Sequence, residues 1–242
     1  MGKIILLLLA ISGLAFATCT SPCIVSAVAG CNNFGGCTAT TSSVNTTGAT
    51  LITVALSVFN QVCFGNTTVT DNKSNTYTRQ TANPQSGVAS SCIYRCNPCT
   101  VGTGHTISAS GSAVGLMMVA FSSTRLTPDP LDQQASASSV GNATTLQQGN
   151  ITPTATNEIL LSVIANCSAA FDGNLGINSS YTFVGINNSG AGCQIGTAYI
   201  QETNIVAKNP TWTDSTLGAT TLVSVGASYF ATSANRHKVA SN

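Results

Sequence analysis

The chain has 242 residues, of which only 6% are charged and 43% hydrophobic, and its eight Lys and Arg against seven Asp and Glu leave a formal charge of +1. An ordinary soluble protein carries roughly 25% charged residues, so this composition excludes a typical cytosolic helical enzyme and any binding driven by a strong basic field. Nucleic acid and anionic membrane surfaces are therefore not expected partners, and the chain is expected to fold rather than stay disordered.

Residues 1–17 predict a signal peptide: Lys3 supplies the basic start, an uncharged apolar stretch follows, and Ala15-Phe16-Ala17 forms the cleavage site. The apolar stretch is shorter than the roughly 20 residues needed to span a bilayer, so the mature form is expected to have no membrane span. A lipid anchor on Cys19 is the minor alternative, for which Thr18 is a poor preceding residue. A retained leader buried in an assembly is another.

Residues 18–47 form a Cys-rich segment. The ten cysteines are Cys19, Cys23, Cys31, Cys37, Cys63, Cys92, Cys96, Cys99, Cys167 and Cys193. An even count beyond an export leader reads as disulfides, five at most, with the connectivity open. Cys92-x3-Cys96-x2-Cys99 has the spacing of an iron–sulfur site, but an oxidising compartment does not keep such thiolates reduced. A zinc site with His105 lacks a second ligand pair at the right spacing.

From Thr50 onward, short β-branched runs alternate with Gly, Asn, Asp and Pro clusters, the pattern of antiparallel strands. Residues 51–59 predict a strand packed on one side, with Ile52, Val54, Leu56 and Val58 inward and Thr53 and Ser57 outward. Residues 68–78 predict a hairpin around a polar turn. Further strands are expected over 89–95, 105–110, 114–122, 158–165, 181–186, 194–202 and 220–231. The apolar run 114–121 is either a strand buried on both faces or a short buried helix, and Gly115 and the brief length favour the strand. Roughly ten strands without helices predict an all-β, antiparallel two-sheet sandwich over residues 48–232, followed by a flexible tail at 233–242. No repeat in the 20–50 residue range of solenoids is evident.

In order, Thr50-Leu51-Ile52-Thr53-Val54-Ala55, Thr68-Val69-Thr70-Asp71, Asn75-Thr76-Tyr77-Thr78, His105 to Ser112, Val119-Ala120-Phe121-Ser122, Asp129-Pro130-Leu131-Asp132 and Glu158-Ile159-Leu160-Leu161 resemble a family of uncharacterised secreted bacterial domains. The resemblance covers about residues 48–232 and implies a jelly-roll-like sandwich, with no activity or site residues to carry over. The Cys-rich amino-terminal segment departs from that family.

Catalytic residue types are scarce. The carboxylates are Asp71, Asp129, Asp132, Asp172, Asp214, Glu158 and Glu202, the only histidines are His105 and His237, and no Gly-x-Ser-x-Gly or phosphate-binding loop occurs. Asp129 and Asp132 do not offer the density of oxygens that a calcium loop supplies. The chain is accordingly not expected to be an enzyme, nor to carry a metal or a cofactor. Trp212, the only Trp, lies in a loop-like sequence and is a candidate platform for stacking on a glycan, against the alternative that it plugs one end of the core. Tyr77 and Tyr181 are weaker candidates. Asn-x-Ser/Thr sequons at Asn45, Asn66, Asn72, Asn142, Asn150, Asn166, Asn178 and Asn187 are possible N-glycosylation sites.

These features predict a secreted structural protein at the cell surface, a self-associating subunit of an extracellular filament or layer. Strand donation from residues 18–47 to a neighbouring copy is the expected assembly route. The alternative is a carbohydrate-binding or adhesive module, with polysaccharide as partner.

Overall fold

The computed structural model describes residues 25–230 apart from 32, 34–35, 61, 64, 83, 87, 113, 122–128, 140–142, 168–173, 179, 189–192 and 216–220. The expected leader and tail, together with Cys19, Cys23, Asn142, Asp172 and His237, lie outside the described residues. Among those described, the regular elements are β-strands and no helix occurs.

The first half contains β1 (Val25–Gly30), β2 (Cys37–Thr40), β3 (Leu51–Phe59), β4 (Thr68–Asp71), β5 (Thr78–Arg79), β6 (Gln85–Ser86), β7 (Ala89–Cys96), β8 (Ile107–Gly111) and β9 (Gly115–Phe121). The second half contains β10 (Leu131–Ser138), β11 (Thr145–Gln147), β12 (Glu158–Cys167), β13 (Leu175–Ile177), β14 (Thr182–Asn188), β15 (Gln194–Glu202), β16 (Thr211–Asp214) and β17 (Thr221–Phe230). All pairings are antiparallel.

Two sandwiches follow one another. In the first half a large sheet runs β1-β9-β3-β7-β5, with β6 also on β7, and a small sheet runs β2-β8-β4. In the second half the large sheet runs β10-β17-β12-β15-β14 and the small one β11-β16-β13. Numbering the strands of each half from one to eight, with β5 and β6 together as the fifth, both halves read 1-8-3-6-5 over 2-7-4. This is the strand order of a jelly roll whose fifth strand has moved beside the sixth. The all-β antiparallel class is as expected, but in place of one sandwich over residues 48–232 there are two, the first of which takes in β1 and β2 from the Cys-rich segment.

The stacking order explains the burial. Ile52, Val54, Leu56 and Val58 of β3 pack with Ile107 and Ala109 of β8 inside the first sandwich. The opposite face of the same large sheet, carrying Leu51, Ala55, Met117 and Phe121, packs on Ile159, Leu161, Val225 and Tyr229 of the other large sheet. Inside the second sandwich, Ile164, Ala198 and Leu222 cover Leu175 and Trp212. Both large sheets are thus buried on both faces, and β3 is not the one-sided strand expected. Thr53 tolerates this because its hydroxyl donates to Val119 O at 3.0 Å, satisfying a group that burial would otherwise orphan. At the contact between the large sheets, a Cβ on Gly115 would stand 2.5 Å from Ser57 Oγ and 3.0 Å from Ile195, so only glycine lets them approach.

Two sequence expectations are corrected. Residues 68–78 do not form a hairpin: β4 pairs with β8 of the small sheet and β5 with β7 of the large one. The polar turn between them is a crossover between sheets. The Cys-rich segment is woven into the sheets of its own chain, with β1 along β9 from Val25↔Ala120 to Gly30↔Gly115 and β2 along β8.

Candidate functional site

The first half ends in a polar knot built by three loops. Asp71 closes β4 and accepts from the Lys73 and Asn75 backbone N–H groups at 3.0 Å each. Its other oxygen receives the Asn75 amide at 2.6 Å, the Tyr77 hydroxyl at 2.8 Å and His105 Nε2 at 2.8 Å. His105 Nδ1 lies 2.9 Å from Thr46 Oγ1, which also accepts from Gly102 N at 3.1 Å. Burial by itself pushes the Asp71 carboxyl up, but these bonds outweigh it and hold it down at about 2. Burial and the adjacent carboxylate raise the Tyr77 hydroxyl above its ordinary range.

Thr46, His105 and Asp71 are the residue types of a nucleophile, its base and an orienting acid. The His105 and Asp71 side chains have no solvent exposure, so no substrate reaches them in this conformation. The knot instead locks the loops around residues 44–47, 71–77 and 97–105 together.

A second perturbed carboxyl is Glu158, buried at the start of β12. Its carboxyl is raised to about 7, mainly by burial and also by neighbouring Asp132, against the Ser228 hydroxyl and the Ala155 N–H, which pull it down. Asp132 is itself held by Thr154 N at 2.7 Å and Thr154 Oγ1 at 2.5 Å. Glu202, the cross-strand partner of Glu158 on β15, pairs with Lys208 at 2.6 Å. Among the described residues no group of three or more His, Cys, Asp or Glu is arranged to hold a metal ion.

Trp212 is a correction. It lies on a strand, β16, and is fully buried, with its indole N–H donating to Ser162 Oγ at 2.8 Å. Ser162 in turn donates to Gln148, whose side chain occupies the space above Gly226 that any larger residue would fill. The ring plugs the second sandwich, because an apolar body with a single donor is accommodated wherever one buried hydroxyl meets it. It offers no face to a glycan. Tyr77 and Tyr181 are half-buried, and burial raises both hydroxyls.

Asn166 is the other correction. It is buried on β12 with its amide donating to Asp214, which leaves no room for a glycan on the folded chain. Asn66, Asn72, Asn150 and Asn178 are exposed, while Asn45 and Asn187 are half-buried.

The eight described cysteines form four disulfides: Cys31–Cys37, Cys63–Cys92, Cys96–Cys99 and Cys167–Cys193. Cys63–Cys92 and Cys167–Cys193 have similar chain spacing but face different clusters: Cys63–Cys92 lies in the core of the first sandwich, and Cys167–Cys193 packs with Ala89 and Val223. Each links the chain at the end of the third strand to the sixth, across separations of 29 and 26 residues.

The surface feature that sequence reasoning missed is an edge. Strands β1 and β14 end their respective large sheets and lie against each other on one side of the molecule. Their sequences, VSAVAG and TFVGINN, hold no charged residue. Val28 is 43% exposed on β1 and Phe183 40% exposed on β14. The opposite edge is tied down: Gln134 of β10 accepts from Ala82 N at 3.0 Å and also bonds Thr81. An uncharged alternating run just before Cys31 was the signal for β1.

No known family, curated protein or solved structure matches this chain. No described helix is long and apolar enough to cross a membrane.

Proposed function

We propose that this chain is a secreted structural protein, a self-assembling subunit of an extracellular filament or layer. The observation that carries the reading is the bare double edge of β1 and β14. Edge strands present unpaired N–H and C=O groups, and proteins that stay monomeric blunt them with charges, prolines or covering segments. The described part of this edge has none of these on its own strands, and its one irregularity is the register shift between Phe183 and Gly185 of β14. The near-zero net charge adds little repulsion between copies, and the disulfides suit a protein that must persist in an oxidising exterior.

The assembly route differs from strand donation by residues 18–47, because β1 and β2 already complete sheets in their own chain. Association instead sets the β1/β14 edge of one copy against a different face of the next, a heterologous contact that does not close and so propagates. Electron microscopy and sedimentation of the exported protein test this. Filaments or sheets are expected, and Val28→Lys should abolish them while Thr213→Lys, the same charge on the central strand of a small sheet, leaves them intact. A monodisperse monomer or a closed dimer at assembly concentrations would overturn the reading.

A further inference from the structure

A cleft of about 530 Å³ opens between the two halves, within the range of about 300–1,000 Å³ typical of small-molecule pockets. Its walls come from the β4–β5 loop (Ser74, Thr76), from the loop after β7 (Asn97, Pro98) and from Asp129, just before β10. Arg95 on β7 lines it as well, donating Nε to Asp129 Oδ1 at 2.8 Å and a second N–H to Oδ2.

The cleft is preformed. Asn75 spans the walls, accepting from Thr100 N at 2.6 Å and donating to Thr100 O at 2.9 Å, while the same amide is fixed by Asp71. The Cys96–Cys99 disulfide anchors the loop bearing Asn97 and Pro98. A site whose shape is set before binding loses little ordering entropy on capture.

Its chemistry selects one ligand class. Among the described residues the lining holds one cation and one anion, which neutralise each other, so an ionic ligand gains no net field from them and must break an existing pair. Hydroxyls and amides dominate the rest, which gives an apolar ligand little to cover. A neutral polyhydroxylated molecule fits both constraints, because each hydroxyl donates and accepts, and vicinal hydroxyls match the side-by-side oxygens of Asp129 and the fork of Arg95. The Asp129 side chain keeps 40% exposure beside Arg95, leaving lone pairs for such donors, and exposed Pro98 offers C–H surface to a sugar ring. We propose that this inter-half cleft is a binding site for a neutral saccharide. The inference stands apart from edge-to-edge assembly and does not require it.

The test is amide-shift titration of the full-length, disulfide-intact protein, separately with neutral hexoses, N-acetylhexosamines and their disaccharides, and with inorganic phosphate and acetate as ionic probes. Expected are saturable shifts confined to residues 74–78, 95–100 and 129–131 with at least one neutral saccharide, and none with either anion. Asp129→Asn should weaken binding about tenfold, the order expected for a lost charge-assisted bond. Thr78→Trp, which fills the cleft from an exposed strand position, should abolish it. The distant Thr145→Ala should change nothing. Absence of saccharide shifts, shifts that survive Thr78→Trp, or preferential binding of phosphate or acetate would each overturn the proposal.

Discussion

His105 Nε2 meets Asp71 Oδ2 at 2.8 Å with both side chains closed to solvent, although the two residues are 34 positions apart in the sequence. An ionised carboxylate only accepts, so the hydrogen of this bond sits on Nε2. Removing the acceptor leaves the His105 and Tyr77 donors inside the knot without their partner. Asp71→Ala should therefore cost about 3–5 kcal/mol in denaturant unfolding, the range for breaking a buried pair from one side. A loss below about 1 kcal/mol would show that the knot does not hold these loops.

The two perturbed carboxyls predict opposite limbs of a pH–stability profile. Asp71 is depressed to about 2, so its contribution is present above its unfolded value of about 3.9 and is lost as pH falls toward 2. Glu158 is raised to about 7, so the folded chain binds more protons than the unfolded one above about 4.3, and stability declines as pH climbs through 7. Maximum stability is expected between these limbs, near pH 4–5. Unfolding midpoints measured from pH 2 to 8 check this, and Glu158→Gln should flatten the upper limb alone.

Trp212 should behave as core. Trp212→Ala should cost about 3–5 kcal/mol, as large-to-small core changes do, and leave Ser162 without its indole donor. Thermal unfolding measures this directly. A stability change within about 0.5 kcal/mol, the range of surface substitutions, would contradict the buried placement.

The paired disulfides Cys63–Cys92 and Cys167–Cys193 close loops of similar length, 29 and 26 residues, so chain entropy assigns them similar worth. Replacing either pair by serines should destabilise the chain by about 2–4 kcal/mol, and the two losses should agree more closely with each other than with that of Cys31–Cys37, which spans 6 residues. Unfolding of the three double variants under oxidising conditions checks the ranking.

Strands with strong apolar alternation were legible from local pattern. Leu51–Phe59 and Gln194–Glu202 have the boundaries expected, and Val114–Phe121 contains a strand buried on both faces as its unbroken apolar run implied. β10 escaped notice because Leu131 is its only large apolar residue, and its place comes from pairing with β17. The hairpin over 68–78 was misread because Asp71 and Asn75 stabilise a turn equally well whether the flanking strands pair with each other or leave for different sheets. The repeated strand order has a period of about half the chain, outside the solenoid range, and it resides in strand pairing rather than in a local residue pattern.

By itself, then, the sequence determined the class of the molecule: all-β, antiparallel, cross-linked by cystine, poor in charge and in catalytic groups. These are properties of composition and of period-two alternation, which act over a few residues. Only the tertiary structure decided which side chains face solvent. Trp212 and Asn166 lie inside, and so does the Asp71–His105 pair, while the β1/β14 edge and the Arg95–Asp129 cleft lie open. The reason is that accessibility follows from which sheet lands on which, and the contacts that settle this join residues far apart in the sequence.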